Sequence, residues 1–75
     1  MNEKNIVLNN VEAAKEFVKA ASECDFDIDV YFNRIALDAK SLLGILSLDL
    51  RSKLRVCYSG ENVGFNTVLV KYAVQ

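Results

Sequence analysis

The sequence contains no histidine and no proline, and it has only three glycines and two cysteines. Without histidine, two cysteines cannot complete a zinc site within one chain, and we expect no metal or other cofactor. Cys24 and Cys57 form no CxxC pair, and we expect an intracellular, cytoplasmic protein with two reduced thiols, the alternative being a disulfide between them. A chain of 75 residues is shorter than a typical domain, and no linker or repeat interrupts it, so we expect a single domain over residues 1–75.

Long apolar runs and an excess of one charge are also absent. No apolar stretch approaches the roughly 18 residues that cross a bilayer, and the polar start over residues 1–5 predicts no secretory signal. Nine basic and ten acidic residues give a net charge of −1, and the basic residues are dispersed, so neither nucleic acid nor a membrane is expected as a partner. Apolar residues make up 52% of the chain, which excludes a disordered protein and predicts one modest core.

The spacing of the apolar residues predicts the element order β-α-β-β-α-β-α. The predicted strands are 3–8, the two arms of a hairpin over 26–39, and 54–58, and the predicted helices are 10–22, 42–47 and 62–74. The last segment is rich in β-branched residues, so a fifth strand is its alternative. Because each strand has one polar face, we expect an α+β fold in which an open-faced, four-stranded antiparallel sheet carries three helices on one face.

Local signals mark two of the element boundaries. Asn9 and Asn10 are both suitable N-caps for the first helix, and Glu12 stands at a capping-box distance from Asn9. Asn33 and Arg34 fit a two-residue hairpin turn, although arginine suits the second position of a type I′ turn less well than glycine.

Two segments stand out, residues 12–21 (EAAKEFVKAA) and residues 39–50 (AKSLLGILSLDL). Together with the element order, they resemble the HPr family, the small phosphocarriers of the bacterial phosphoenolpyruvate-dependent sugar phosphotransferase system. The first segment is similar to the family's first helix and the second to its regulatory-serine segment. The likeness extends from about Val11 to Gly60. It implies an HPr-like fold, and since no catalytic constellation is present in the sequence, we do not expect an enzyme.

The resemblance also implies a phosphorylatable histidine before the first helix and an arginine two residues later. These positions correspond to Asn10 and Glu12. The chain offers no imidazole nitrogen as a nucleophile, and the carboxylate of Glu12 opposes phosphate binding. The sequence therefore predicts a regulatory, protein-interaction relative that cannot carry phosphohistidine, and the alternative is a phosphocarrier by family assignment only.

Ser41 has two interpretations. It can be the N-cap of the helix over 42–47, with its hydroxyl accepting a backbone N–H. The resemblance implies instead a regulatory site that a protein kinase phosphorylates, and a phosphate is electrostatically favourable at a helix N-terminus.

Leu42, Leu43 and Leu46 share one face of the same short helix. They either belong to the core or, as the resemblance implies, form an exposed apolar patch that docks on proteins of the phosphotransferase system or of carbon-catabolite regulation. Three further apolar residues are expected to turn toward the sheet: Ile45, Leu48 and Leu50.

Two sets of acidic residues carry no predicted site. Asp25, Asp27 and Asp29 alternate along one strand and predict a solvated face, because a calcium site prefers mixed loop ligands with a bidentate glutamate. Glu12 and Glu16 lie one helical turn apart, but nothing in the sequence predicts surroundings that would shift their pKa values.

Overall fold

The computed structural model describes residues 1–75. Its elements in chain order are β1 (Asn2–Ile6), α1 (Val11–Ser22), β2 (Ile28–Phe32), β3 (Ile35–Asp38), α2 (Leu42–Leu46), β4 (Leu54–Tyr58) and α3 (Val63–Tyr72). The predicted β-α-β-β-α-β-α order is confirmed. The first strand differs most from its prediction, since it begins at Asn2 and ends at Ile6 rather than at residue 8.

The four strands form one sheet in the order β1-β4-β2-β3, and every pair is antiparallel. Ile28 and Val30 of β2 are buried, as is Val56 of β4. Asp29 and Arg55 alternate with them and are exposed. This alternation leaves one face of the sheet in water and places the other under the three helices, so the predicted α+β, open-faced architecture is confirmed.

Helix α1 covers the sheet with a continuous apolar stripe. Residues three and four apart lie on one face of a helix, which is why the apolar spacing of this segment predicts its buried side. The buried residues of α1 are Ala13, Ala14, Phe17, Val18, Ala20 and Ala21. The ring of Phe17 packs against that of Phe65 on α3 at a centroid distance of 5.9 Å, so the two longer helices share one core.

The start of α1 corrects one local prediction. The N-cap is Asn10, whose Oδ1 accepts a hydrogen bond from the backbone N–H of Ala13 at 2.8 Å. Asn9 lies before the helix with φ of 76°, a left-handed conformation that asparagine tolerates better than most residues. The predicted capping box of Asn9 and Glu12 is therefore wrong, because the third helical residue after the true cap is Ala13.

The β2–β3 hairpin turns at Asn33 and Arg34, as predicted. Asn33 has φ of 54°, whereas Arg34 has no positive φ. A type I′ turn requires positive φ at both central residues, so this hairpin uses another turn geometry.

The C-terminal segment is a helix, and the alternative fifth strand is wrong for residues 63–72. Its N-cap, Asn62, accepts a hydrogen bond from Phe65 N–H at 2.9 Å. Phe65 is fully buried and meets Tyr58 edge-on at 5.3 Å between centroids. This cap and this contact outweigh the weak helix propensity of the neighbouring valines.

The residues that follow α3 return to the outer edge of β1. Val74 N–H donates to Asn5 C=O at 2.9 Å, Val7 N–H donates to Tyr72 C=O at 3.1 Å, and Ala73 forms a bridge with Ile6. This short tail therefore supplies part of the hydrogen bonding that an edge strand otherwise lacks.

Gly60 has a steric role at the end of β4. A Cβ atom at this position would collide with the ring of Phe26. The same ring stacks on Tyr58 at 6.2 Å, so it cannot move away without losing that contact. Any residue other than glycine at position 60 therefore displaces the ring of Phe26 and its contact with Tyr58.

The two cysteines are unpaired. Cys24 is buried, and its thiol donates to Ala20 C=O at 3.5 Å. Burial raises the pKa of the Cys24 thiol. Cys57 lies half-buried on the wet side of β4. No helix of the structure has the length and apolar character needed to cross a membrane.

Candidate functional site

The loop before α1 contains the predicted counterpart of the family's phosphorylated residue. Asn10 is exposed, but its side-chain oxygen is held by the Ala13 N–H as the helix cap. The N–H of Asn9 donates to Leu50 C=O at 2.7 Å. This bond holds the loop before α1 against the segment that follows α2.

Glu12 occupies the first turn of α1 with its side chain in solvent. Its nearest cation is Lys15, at 3.8 Å between Nζ and Oε1. An exposed ion pair of this kind is worth little. The group at this position is therefore a solvated carboxylate next to the cap of Asn10, and it gives the start of the helix a negative charge.

Ser41 caps α2, as one of its two interpretations predicts. The N–H of Gly44 donates to Ser41 Oγ at 3.2 Å, and the serine is exposed. A Cβ atom on residue 44 would approach that oxygen to 3.1 Å, which is a tight contact, so glycine leaves the cap undisturbed. The first turn of α2 carries no acidic residue.

The three leucines of the predicted patch differ in exposure. Leu43 is 83% exposed, whereas Leu42 and Leu46 are half-buried and pack against the core. Ile45 and Leu48 are buried, and the half-buried Leu50 also packs on the core, so these residues face inward as predicted. The solvent-facing part of α2 is therefore centred on Leu43, with Leu42 and Leu46 at its border.

A cluster of three polar side chains that the sequence analysis missed joins α1 to α3. Lys71 Nζ lies 3.1 Å from Glu16 Oε1 and 3.2 Å from Oε2, and the Tyr72 hydroxyl donates to the same carboxylate. The hydrogen bond from Tyr72, followed by that from Lys71, lowers the pKa of Glu16. The expectation that nothing perturbs Glu16 is wrong.

The same contacts act on the two partners of Glu16. Hydrogen bonding to the carboxylate raises the pKa of Lys71 and that of Tyr72. The three residues are far apart in the sequence and are brought together only by the packing of α1 on α3. No local pattern signals such a cluster, although the amphipathic faces of the two helices predict that they pack together.

The three acidic residues near β2 remain in solvent. Asp25, Asp27 and Asp29 are exposed, as predicted. Asp29 lies opposite Asp38 in the β2–β3 register. No group of three or more histidine, cysteine, aspartate or glutamate residues is arranged to hold a metal ion.

The surface has only shallow hollows. Two of them, of about 330 and 360 Å3, lie beside α3. Neither includes a residue of α2, nor Asn10, nor a nucleophile paired with a base. The residues that line the first are Val63, Asn66, Thr67 and Val70. The candidate residues therefore lie on the exposed surface, at the starts of α1 and α2 and on the outer side of α2, rather than in a cavity.

Comparison with known proteins agrees with this architecture. A family profile described as the PTS HPr component phosphorylation site matches residues 10–62, a span that includes both Asn10 and Ser41. The crystal structure of HPr-C-His from Thermoanaerobacter tengcongensis is similar to this chain with a TM-score of 0.76 and 26% sequence identity, covering 95% of this chain and 89% of that one. No curated protein matches the sequence.

Proposed function

The chain belongs to the HPr family of the phosphotransferase system, and from this premise we propose that it is a regulatory, protein-binding member that does not carry phosphohistidine. The observation that carries the proposal is the absence of histidine from the sequence. Transfer of a phosphoryl group to an HPr needs an imidazole nitrogen that attacks phosphorus. Binding to a partner needs only a surface, which this chain has.

The residues near the start of α1 support the loss of phosphotransfer. The amide of Asn10 is not a nucleophile, and its oxygen already accepts the Ala13 N–H. Glu12 places a carboxylate where an incoming phosphate would bind, and like charges repel. Both the chemistry and the charge of this loop therefore oppose a phosphoryl group.

The docking patch, defined as Leu42, Leu43 and Leu46, supports the binding role. Leu43 exposes most of its side chain, and its two neighbours are only half covered. An exposed leucine at the centre of a partly buried apolar border can insert into a partner's pocket while the border excludes water. We propose proteins of the phosphotransferase system or of carbon-catabolite regulation as the partners.

Phosphorylation of Ser41 is the proposed switch. The serine is exposed and immediately precedes Leu42, so a phosphate there adds close to two negative charges beside the docking patch. The N–H of Gly44, which now donates to the hydroxyl, can donate to a phosphate oxygen instead. The modification therefore changes the charge of the patch while leaving α2 folded.

Phosphotransfer is tested with phosphoenolpyruvate and enzyme I. We expect no acid-labile phosphoryl group on the chain by intact-mass spectrometry, with an HPr that contains the histidine as the positive control. An acid-labile phosphoryl group on this chain would overturn the proposal and favour an unconventional phosphocarrier.

The switch is tested by incubation with an HPr kinase and ATP. We expect a stable gain of one phosphoryl group that is absent from Ser41→Ala. Ser47, also exposed but at the opposite end of the same helix, where it is the C-cap, provides the control, because Ser47→Ala should still be modified. No gain on the wild type removes the switch from the proposal.

The docking patch is tested by affinity capture with Leu43→Lys. Val63→Lys is the matched control, since Val63 on α3 is also 83% exposed but lies outside the patch. We expect Leu43→Lys to lose the captured proteins and Val63→Lys to retain them. Equal recovery by the two variants would show that the patch is not the docking surface.

A further inference from the structure

The outer edge of β3 is open except at Asp38, whose C=O accepts the Ser41 N–H at 3.0 Å. β3 ends the sheet, and its only partner is β2. The two-residue turn closes on the pair Phe32–Ile35, and in an antiparallel hairpin the pair next to such a turn is hydrogen-bonded. Bonded and non-bonded pairs then alternate, so the N–H and C=O of Ala36 point away from β2 toward solvent.

The sequence along this edge is self-complementary in charge. When a second copy runs antiparallel with Ala36 opposite Ala36, Arg34 of each copy lies opposite Asp38 of the other. Arg34 forms no ion pair within the chain. Asp38 lies opposite Asp29 across β2–β3, and like charges placed directly opposite destabilise a sheet. A cation supplied by another copy relieves that repulsion.

On the covered side of the sheet, an apolar side chain at the same edge is also left partly exposed. Ile35 is 50% exposed, although it lies in a strand next to the covered face of the sheet. In the same antiparallel pairing, Ile35 of one copy lies opposite Leu37 of the other. Each copy thus covers the apolar side chain that the other leaves in water.

We propose that β3 is a self-association edge, at which a second copy of this chain pairs antiparallel with Ala36 on the two-fold axis. The sheet then continues from one copy to the next through backbone hydrogen bonds at Ala36 and two Arg34–Asp38 ion pairs. The exposed valines of α3 are the rival surface, but the helix between Val63 and Val70 carries no charge to orient a partner.

The proposed association is weak and reversible. β3 has four residues, and the pairing buries much less than the roughly 800 Å2 per partner of a standard interface. We therefore expect a dissociation constant on the order of 10⁻⁴ to 10⁻³ M. We also expect it to rise with ionic strength, because the flanking ion pairs are exposed to screening by salt.

The backbone part of the proposal is tested by sedimentation equilibrium up to millimolar protein. Ala36→Pro removes the outward N–H, and an edge strand tolerates proline where that N–H faces solvent. We expect Ala36→Pro to be monomeric, while the control Ala36→Ser, which keeps the N–H, associates like the wild type. A monomeric wild type at millimolar concentration, or association that persists in a folded Ala36→Pro, overturns the proposal.

The charge part is tested by complementary reversals, which do not depend on the proline variant folding. R34E alone and D38K alone each place like charges opposite one another, and each should associate at least roughly tenfold more weakly than the wild type. An equimolar mixture of R34E and D38K restores two opposite-charge pairs and should form a heterodimer. Failure of the mixture to associate more tightly than either variant alone overturns the register.

Discussion

Helices α1 and α2 begin in the same way but end with different roles. In each, the N-cap side chain accepts the N–H of the residue three positions later, from Ala13 to Asn10 and from Gly44 to Ser41. Helix α1 continues for 12 residues and buries a full apolar stripe, whereas α2 has 5 residues and buries only Ile45. The two helices therefore share the same kind of N-cap but differ in the length of the apolar stripe that they bury, and this length sets their different roles.

The difference separates stability from recognition. A helix of five residues is too short to be stable alone, so α2 depends on its anchors to the rest of the domain. These anchors are Ile45 in the core and the half-buried Leu42 and Leu46 packed against it. While these anchors hold α2 in place, its outer side chains remain exposed to a partner. The apolar side chains of α1, in contrast, are buried in the core.

Core truncation should give the largest contrast between the two helices. Phe17→Ala removes a fully buried ring and should lower the free energy of unfolding by about 3–5 kcal/mol. Leu43→Ala removes an exposed side chain and should change it by less than about 0.5 kcal/mol. Urea denaturation measures both. A loss above about 1 kcal/mol for Leu43→Ala would mean that this leucine belongs to the core rather than to the docking patch.

Removing each cap should give a smaller contrast. Asn10→Ala should cost about 1–2 kcal/mol, because all of α1 depends on the cap, and Ser41→Ala about 0.5–1 kcal/mol. Asn10→Ser keeps a side-chain acceptor and serves as the control, with nearly wild-type thermal stability. Equal losses from the two alanine variants would contradict the idea that α1 contributes more to the fold than α2.

The effect of pH on the contact between α1 and α3 should be the smallest. The pKa of Glu16 in the folded protein is lowered from its ordinary 4.5. The stability that the ionised carboxylate adds to the fold is therefore complete at pH values above the pKa of Glu16 in the unfolded chain. It is lost as pH falls through the lower folded pKa. Glu16→Gln should therefore reduce stability at neutral pH and lose less stability than the wild type on acidification, as followed by thermal unfolding.

The cause of this pH effect can be checked separately. The Tyr72 hydroxyl is the largest influence on the pKa of Glu16, so Tyr72→Phe should move that pKa up toward 4.5, as measured by NMR titration. Lys71→Met should also move that pKa upward, since Lys71 lowers it both by a hydrogen bond to the carboxylate and by its positive charge. An unchanged pKa in Tyr72→Phe would show that the hydrogen bond does not form in solution.

Strong periodic signals account for what the sequence predicts correctly. Phe17 and its neighbours recur at helical spacing, and Ile28 and Val30 alternate with aspartates, so local patterns alone identify α1 and β2. The serine cap of α2 is equally local, since Ser41 and Gly44 lie three residues apart. The sequence therefore predicts the sheet, the helices and the Ser41 cap.

Long-range contacts account for what the sequence does not predict. Asn9 takes a left-handed φ of 76° and donates its N–H to Leu50 C=O, a contact made only in the folded chain, so the extended residue that can cap the helix is Asn10. The altered pKa of Glu16 likewise depends on partners at the far end of the sequence. The exposure of Leu43 depends on how α2 lies on the sheet, which its apolar spacing alone leaves open.

The tail that returns to β1 limits how far such sheets can extend. Val74 and Tyr72 bond to the backbone at Asn5 and Val7, and so they occupy the end of the strand where another molecule would add. A pair joined through β3, as proposed above, would carry a β1 strand at each end of its sheet. The tail covers part of each of these strands and so hinders the addition of further copies.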